Sequence, residues 1–131
     1  MNASDSIFTG IVTMERLQTG CVRFCYVPPG SQTPRRYRCQ PDLALTGVTD
    51  SAAQNAIRAR ITPQFSSLDL SQPAYAQIAS TCAVEIVTGS DQESEMGAFN
   101  FLQQPQRRAN LLAALDEYLR FGLEAGAVEE T

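Results

Sequence analysis

The chain has 131 residues and a formal net charge of −4, and its ten cations are all arginine, with no lysine and no histidine anywhere. An acidic balance excludes a general nucleic-acid binder, which needs a field of basic charge to displace counterions from phosphates. The absence of histidine excludes Ser-His-Asp and Cys-His catalysis and removes the usual physiological pH switch.

A chain of this length suits one domain and buries roughly two thirds of the surface its unfolded form exposes, enough for a core without disulfides. No apolar run approaches the ~20 residues of a membrane span, and MNASDSIFTG lacks the basic start and apolar centre of a signal peptide. The expectation is a cytoplasmic protein, either free or part of a particle, with no membrane span and no nucleic acid.

In chain order, Ser6 to Leu17 is rich in β-branched residues and reads as two short strands joined by a turn. Cys21 to Val27 alternates, with Cys21, Arg23 and Cys25 on one side and Val22, Phe24 and Tyr26 on the other, which predicts the best strand of the chain. Pro28, Pro29 and Gly30 end it. The segment from Gly20 to Pro41 holds three of the four cysteines, four of the ten arginines and four of the seven prolines.

Within it, the prolines flanking PRRYRCQP favour extended backbone and hold Arg35, Arg36 and Arg38 in fixed places, with Tyr37 able to stack under a guanidinium. Arginine suits planar, bidentate contact with carboxylates, so Arg35, Arg36, Tyr37 and Arg38 form the candidate partner-binding patch. The competing reading pairs these arginines with acids of the same chain, such as Asp42, Asp50 or Asp69.

Thr49 to Ile61 predicts a short helix capped by Thr49 or Asp50, with Ala53, Ile57 and Ile61 on one face. Phe65, Leu68, Leu70, Tyr75 and Ile78 read as core-filling residues, with a brief helical turn over Pro73 to Ala79. Cys82 to Thr88, CAVEIVT, predicts a second strand. The run SDQESE lacks the ligand alternation and central glycine of a calcium loop and reads as a solvated turn. Pro105 to Phe121 predicts the strongest helix, its stripe of Leu111, Leu112, Leu115, Tyr118 and Leu119 wide enough to bury against a sheet.

The four cysteines invite a metal reading, but Cys21, Cys25, Cys39 and Cys82 lack the paired short spacings of a structural zinc site, so zinc is disfavoured and no cofactor is expected. A bridge such as Cys21 to Cys39 is open to them, against the alternative of reduced, buried thiols. No particular carboxylate pair is brought together by the pattern, so no catalytic residue is assigned and the chain is expected not to be an enzyme.

Pro63 to Phe99 resembles the closing turns of right-handed parallel β-helix proteins of the pectin-lyase-like class, through PQF at Pro63 to Phe65, Leu68 and Leu70, the segment led by Pro73, AVEIVTG, and EMGAF at Glu95 to Phe99. The stretches ASDSIFTG to PDLAL and EMGAF to LEAG are similar to the C-terminal portion of uncharacterised bacterial proteins whose preceding part is β-helical, a group loosely associated with phage-tail-like or contractile-injection gene clusters. The resemblance implies a mainly β fold: a short right-handed parallel β-helix-like stack with long loops, closed by a C-terminal capping helix. Residues 1–104 would form the β-helix-like domain, with a long inserted loop at 28–48 and a short helix at 50–61; 105–122 would be the cap and 123–131 an acidic tail. It further implies a non-catalytic structural or attachment module of a larger assembly such as a tail-like particle, with a protein partner or self-association. The alternative is a carbohydrate-binding or carbohydrate-processing β-helix.

Overall fold

The computed structural model describes residues 1–126. Three three-residue strands, β1 (Asn2–Ser4), β2 (Cys21–Arg23) and β3 (Arg35–Tyr37), form one parallel sheet in the order β1-β2-β3. Asn2 aligns with Cys21 and Arg35, Ala3 with Val22 and Arg36, and Ser4 with Arg23 and Tyr37.

Each strand ends in the same way. Asp5, Phe24 and Arg38, the residues just after the three strands, all adopt left-handed backbone, with φ of 51°, 50° and 50°. Such a φ is uncommon for any residue but glycine, and a bulky phenylalanine there is an outlier. The left-handed residue turns the chain, and Ile7, Tyr26 and Gln40 then meet as parallel bridges beyond the corner. The same corner on three successive passes stacks the backbone so that Asp5 N–H donates to Arg23 O at 3.2 Å and Phe24 N–H to Tyr37 O at 3.0 Å.

The corner also explains why the alternation expected over Cys21 to Val27 fails. A continuous strand would place Cys25 with Cys21 and Arg23 on one face. The turn at Phe24 breaks that phase, and Cys25, Tyr26 and Val27 are all buried in sequence. Val22, Cys25, Val27 and Cys39 form one small core against Ala3 and Phe8.

Helix α1 (Ser51–Arg60) forms where the sequence predicts it. The Asp50 carboxylate caps it by accepting from Ala53 N–H at 2.8 Å, and the Ile61 N–H closes it on Ile57 O. Its inward residues, Ile57 and Ile61, join Tyr26, Cys82, Ile86 and Met96 in the second core.

Cys82 to Thr88 is not the expected strand. Val84–Val87 forms the short helix α2. The β-branched composition favours a strand, but the bend at Cys82 and the helical turn at Ile86 bring both side chains into the second core, and the gain of burying them overrides propensity. An ion pair ties α2 to α1, with Arg60 Nη1 donating to Glu85 Oε2 at 2.9 Å. Gly89 follows, where a Cβ would lie 2.1 Å from Glu85 O and 2.4 Å from Met96 Cε, so only glycine fits this return.

The mainly β architecture expected from the resemblance is therefore corrected: among the described residues no β-helix stack forms. The parallel ladder stops after three short strands. Ser6 to Leu17, expected as two strands, contributes only single bridges at Ile7 and Thr13. Pro63 to Phe99, expected as closing turns, holds an antiparallel bridge between Phe65 and Ile78, a single parallel bridge between Ser67 and Tyr75, and α2. Prolines, serines and short polar turns punctuate this half of the chain too often for a ladder to propagate.

The expected solvated turn at SDQESE is solvated only at Asp91, Gln92 and Glu93; Ser90, Ser94 and Glu95 are buried. A 3₁₀ turn (Asn100–Leu102) leads through left-handed Gln103 into α3 (Gln104–Tyr118). The helix is present, but it buries no residue of its own against a core, and the expectation of a capping helix is corrected as well. None of its residues is buried, and Leu111, Leu112 and Tyr118 are 51%, 37% and 88% exposed. The tail expected at 123–131 is described only as far as Gly126. No described helix is long and apolar enough to cross a membrane.

Candidate functional site

The four residues of the predicted patch divide. Arg36 stands in register with buried Val22, so its side chain lies on the inner side of the sheet's last strand. There its Nε donates to Thr33 Oγ1 at 2.8 Å, Nη1 to Asp42 Oδ2 at 2.8 Å, and Nη2 to the Ser31 carbonyl. The guanidinium thus closes the sheet's end over the first core and is used up in doing so. Of the acids named as possible internal partners, Asp42 is the one it takes.

Arg35, Tyr37 and Arg38 remain outside. Arg35 aligns with Cys21 and Tyr37 with Arg23, on the outward side of the sheet. Tyr37 is 51% exposed and meets the Phe24 ring edge-on, with centroids 5.7 Å apart and planes at 84°. The Arg38 guanidinium carbon lies 5.9 Å from the Tyr37 centroid, within reach of a cation–π contact. Exposed Arg23, missed by the sequence reading, joins this surface; its Nε donates to Ser4 Oγ at 2.8 Å, which fixes its direction. Strand register was the signal that would have found it.

The outcome is a face bearing Arg23, Arg35 and Arg38 around an aromatic ring, with no carboxylate on any of the three strands. On a chain with a net charge of −4 this is a local reversal of sign. Forked guanidinium donors beside a flat ring suit carboxylate side chains presented with apolar stems.

Beside this face, a cavity of about 330 Å³ opens between the corner residues Phe24 and Arg38 and the stretch from Glu85 of α2 to Glu93, with Gln40 also in its lining. The Oε1 of Gln40 is buried without a hydrogen-bond partner among the described residues. The turn carrying Asp91 is held against the sheet corner, with Asp91 N–H donating to Asp5 Oδ1 at 2.8 Å.

The cysteines do not converge on a ligand. All four are free: Cys25 and Cys39 lie in the first core, Cys82 lies in the second, and Cys21 is half-buried on the outward side of the sheet. Among the described residues no three Cys, Asp or Glu side chains gather as a metal set. Burial pushes the Cys25 thiol up to about 11 and raises Cys39 as well, which keeps both protonated and weakly nucleophilic at neutral pH. Glu95, 6% exposed, has its carboxyl raised by desolvation, whereas Glu85 is lowered chiefly by its hydrogen bond from Arg60. No family model, curated protein or solved structure matches the chain.

Proposed function

We propose that the chain is a non-catalytic attachment module that docks its arginine–tyrosine face onto an acidic protein surface of a larger assembly. The observation that carries this reading is the outward cluster of Arg23, Arg35, Tyr37 and Arg38, a cationic aromatic surface on an acidic protein. Arginine and tyrosine are the residue types that concentrate binding energy at interfaces, because each offers a rigid apolar plane and a polar edge. The chain's overall negative charge repels extended polyanions, so the patch favours a compact acidic site. A tail-like particle is the assembly that the sequence resemblance points to.

The test compares pull-downs from source cells with the wild-type chain and with an Arg23→Ser, Arg35→Ser, Arg38→Ser triple variant, all three positions being exposed. Sheath-, tube- or baseplate-like proteins that come with the wild type and are lost with the triple variant would support the reading. Identical recoveries with both baits would overturn it.

A second reading, binding of a sugar unit, is favoured by the cavity, whose lining includes Phe24, Arg38, Gln40, Glu85, Asp91 and Glu93. Aromatic faces with nearby carboxylate and amide acceptors suit a hydroxyl-rich ligand. A glycan array probed with the wild-type chain and with Asp91→Asn decides it, since a sugar held at the cavity must bind the variant more weakly.

A further inference from the structure

The cavity beside the sheet corner is lined by groups of both signs that do not meet. Its lining includes Arg38, from the corner after β3, and Asp91 and Glu93, from the stretch after α2, all three of them exposed. Among the described residues none of these three side chains enters an ion pair or a hydrogen bond; Arg38 has only the Tyr37 ring, 5.9 Å away. Glu85, the third carboxylate of the lining, is already taken by Arg60, whose Nη1 donates to Glu85 Oε2 at 2.9 Å. Gln40, 5% exposed, adds the amide whose Oε1 has no partner among the described residues.

The backbone behind these charges is tied down. Asp91 N–H donates to Asp5 Oδ1 and Gly97 N–H to Asp5 O, both at 2.8 Å, which fastens the turn to the sheet's first corner. Within the turn, Ser94 N–H donates to Ser90 Oγ at 2.9 Å and Ser90 N–H to Ser94 O at 3.1 Å. Arg38 and Glu93 both carry left-handed φ, 50° and 56°, so two of the three charges stand at sharp reversals of the chain. A cation and two anions set around one space on fixed backbone suit a ligand with the reverse arrangement of charge, which binds without prior rearrangement of the chain.

We infer that the cavity takes a free basic amino acid, with its carboxylate on Arg38 and its two cationic groups toward Asp91 and Glu93. The balance of charge selects this class. With Glu85 neutralised by Arg60, the lining keeps one cation and two anions, and a ligand with one carboxylate and two cationic groups answers each of them. The guanidinium fork matches a carboxylate bidentately. The Phe24 ring offers apolar surface to the ligand's methylene stem, and the orphaned Gln40 acceptor suits an ammonium N–H. A volume of about 330 Å³ lies at the lower end for ligand cavities, so it suits one amino acid and excludes a folded partner. An acidic amino acid brings like charge to Asp91 and Glu93, and a neutral sugar engages neither sign.

The test is isothermal titration calorimetry of the purified full chain at low salt with L-lysine, L-leucine, L-glutamate, cadaverine and glucose. L-lysine is expected to bind at least about tenfold more tightly than L-leucine, which lacks the second cation, or cadaverine, which lacks the carboxylate, and L-glutamate and glucose are expected not to bind. Arg38→Gln, checked for an unchanged circular dichroism spectrum, is expected to weaken L-lysine at least about tenfold and to leave cadaverine unchanged; Asp91→Asn with Glu93→Gln is expected to erase the preference for L-lysine over L-leucine. The wild-type panel decides without any variant: no binding of L-lysine, equal affinity for L-lysine and L-leucine, or binding of glucose in place of L-lysine would each overturn the proposal, as would an Arg38→Gln chain that binds L-lysine like the wild type. The inference goes beyond the docking reading and shares only Arg38 with it. Arg23→Ser with Arg35→Ser is therefore expected to leave L-lysine binding unchanged, and a loss there would put the carboxylate contact on the sheet face and overturn the cavity as the site.

Discussion

Replacing Arg36 or Arg35 by alanine separates an arginine that builds the fold from its neighbour that faces outward. Arg36 makes three hydrogen bonds, one of them within an ion pair whose side chains are 23% and 50% exposed. A partly exposed ion pair contributes about 0.2–1 kcal/mol, and each of the other two bonds adds roughly 0.5–1.5 kcal/mol net. The aliphatic stem in register with Val22 adds packing that alanine gives up. Arg36→Ala should therefore cost about 2 kcal/mol, a fall in Tm of about 8 °C for a domain of this size. Arg35→Ala removes an exposed side chain and should stay within about 0.5 kcal/mol of wild type. Urea unfolding followed by circular dichroism measures both, with unchanged slopes showing that stability alone has moved. If the two variants differ by less than about 0.5 kcal/mol, Arg36 does not close the end of the sheet and the division of the patch into one inner and three outer residues is wrong.

The two cores and α3 should respond unequally to truncation: Ile86→Ala, at a fully buried position, should cost about 2–5 kcal/mol, whereas Leu115→Ala should cost less than about 1 kcal/mol. Glu95 carries a definite sign with pH. Its folded-state carboxyl lies above the ordinary 4.5, so the folded chain binds the extra proton and the stability this group allows is full below 4.5 and falls as pH rises through the folded value. Glu95→Gln should accordingly raise Tm at neutral pH and leave it nearly unchanged at pH below 4.5; equal shifts at both would refute burial as the cause. Among the thiols, Cys21 should react rapidly with an aromatic disulfide reagent in the native protein, while buried Cys25, Cys39 and Cys82 should react only on unfolding. Rapid labelling of more than one thiol would contradict the packing of the two cores.

Much of what the sequence conveyed concerned single elements. Asp50 before an alanine-rich run announced α1, and the leucine spacing after Pro105 announced α3, because capping and helical periodicity are written locally. The three left-handed corners were not legible. Asp5, Phe24 and Arg38 share no residue type, and nothing in a phenylalanine signals positive φ; the common feature is the stacking of one pass on the next, which is a tertiary fact. The same cause hid the inward turn of Arg36, since a strand pattern gives alternation and leaves open which side is inside. CAVEIVT misled for a related reason, its β-branched run being overruled by the pocket that takes Cys82 and Ile86 together. The apolar stripe of α3 was read correctly as a stripe, but periodicity cannot say whether such a stripe meets its own sheet or another molecule.

The slender joint between α3 and the rest of the chain has a mechanical consequence. A helix of 15 residues is about 22 Å long, and Gln103 and Gln106, whose side chains bond the turn at Gln92 and Glu93, both lie at one end of it. Over that length a rotation of about 10° about Gln103 would sweep Tyr118 through roughly 4 Å.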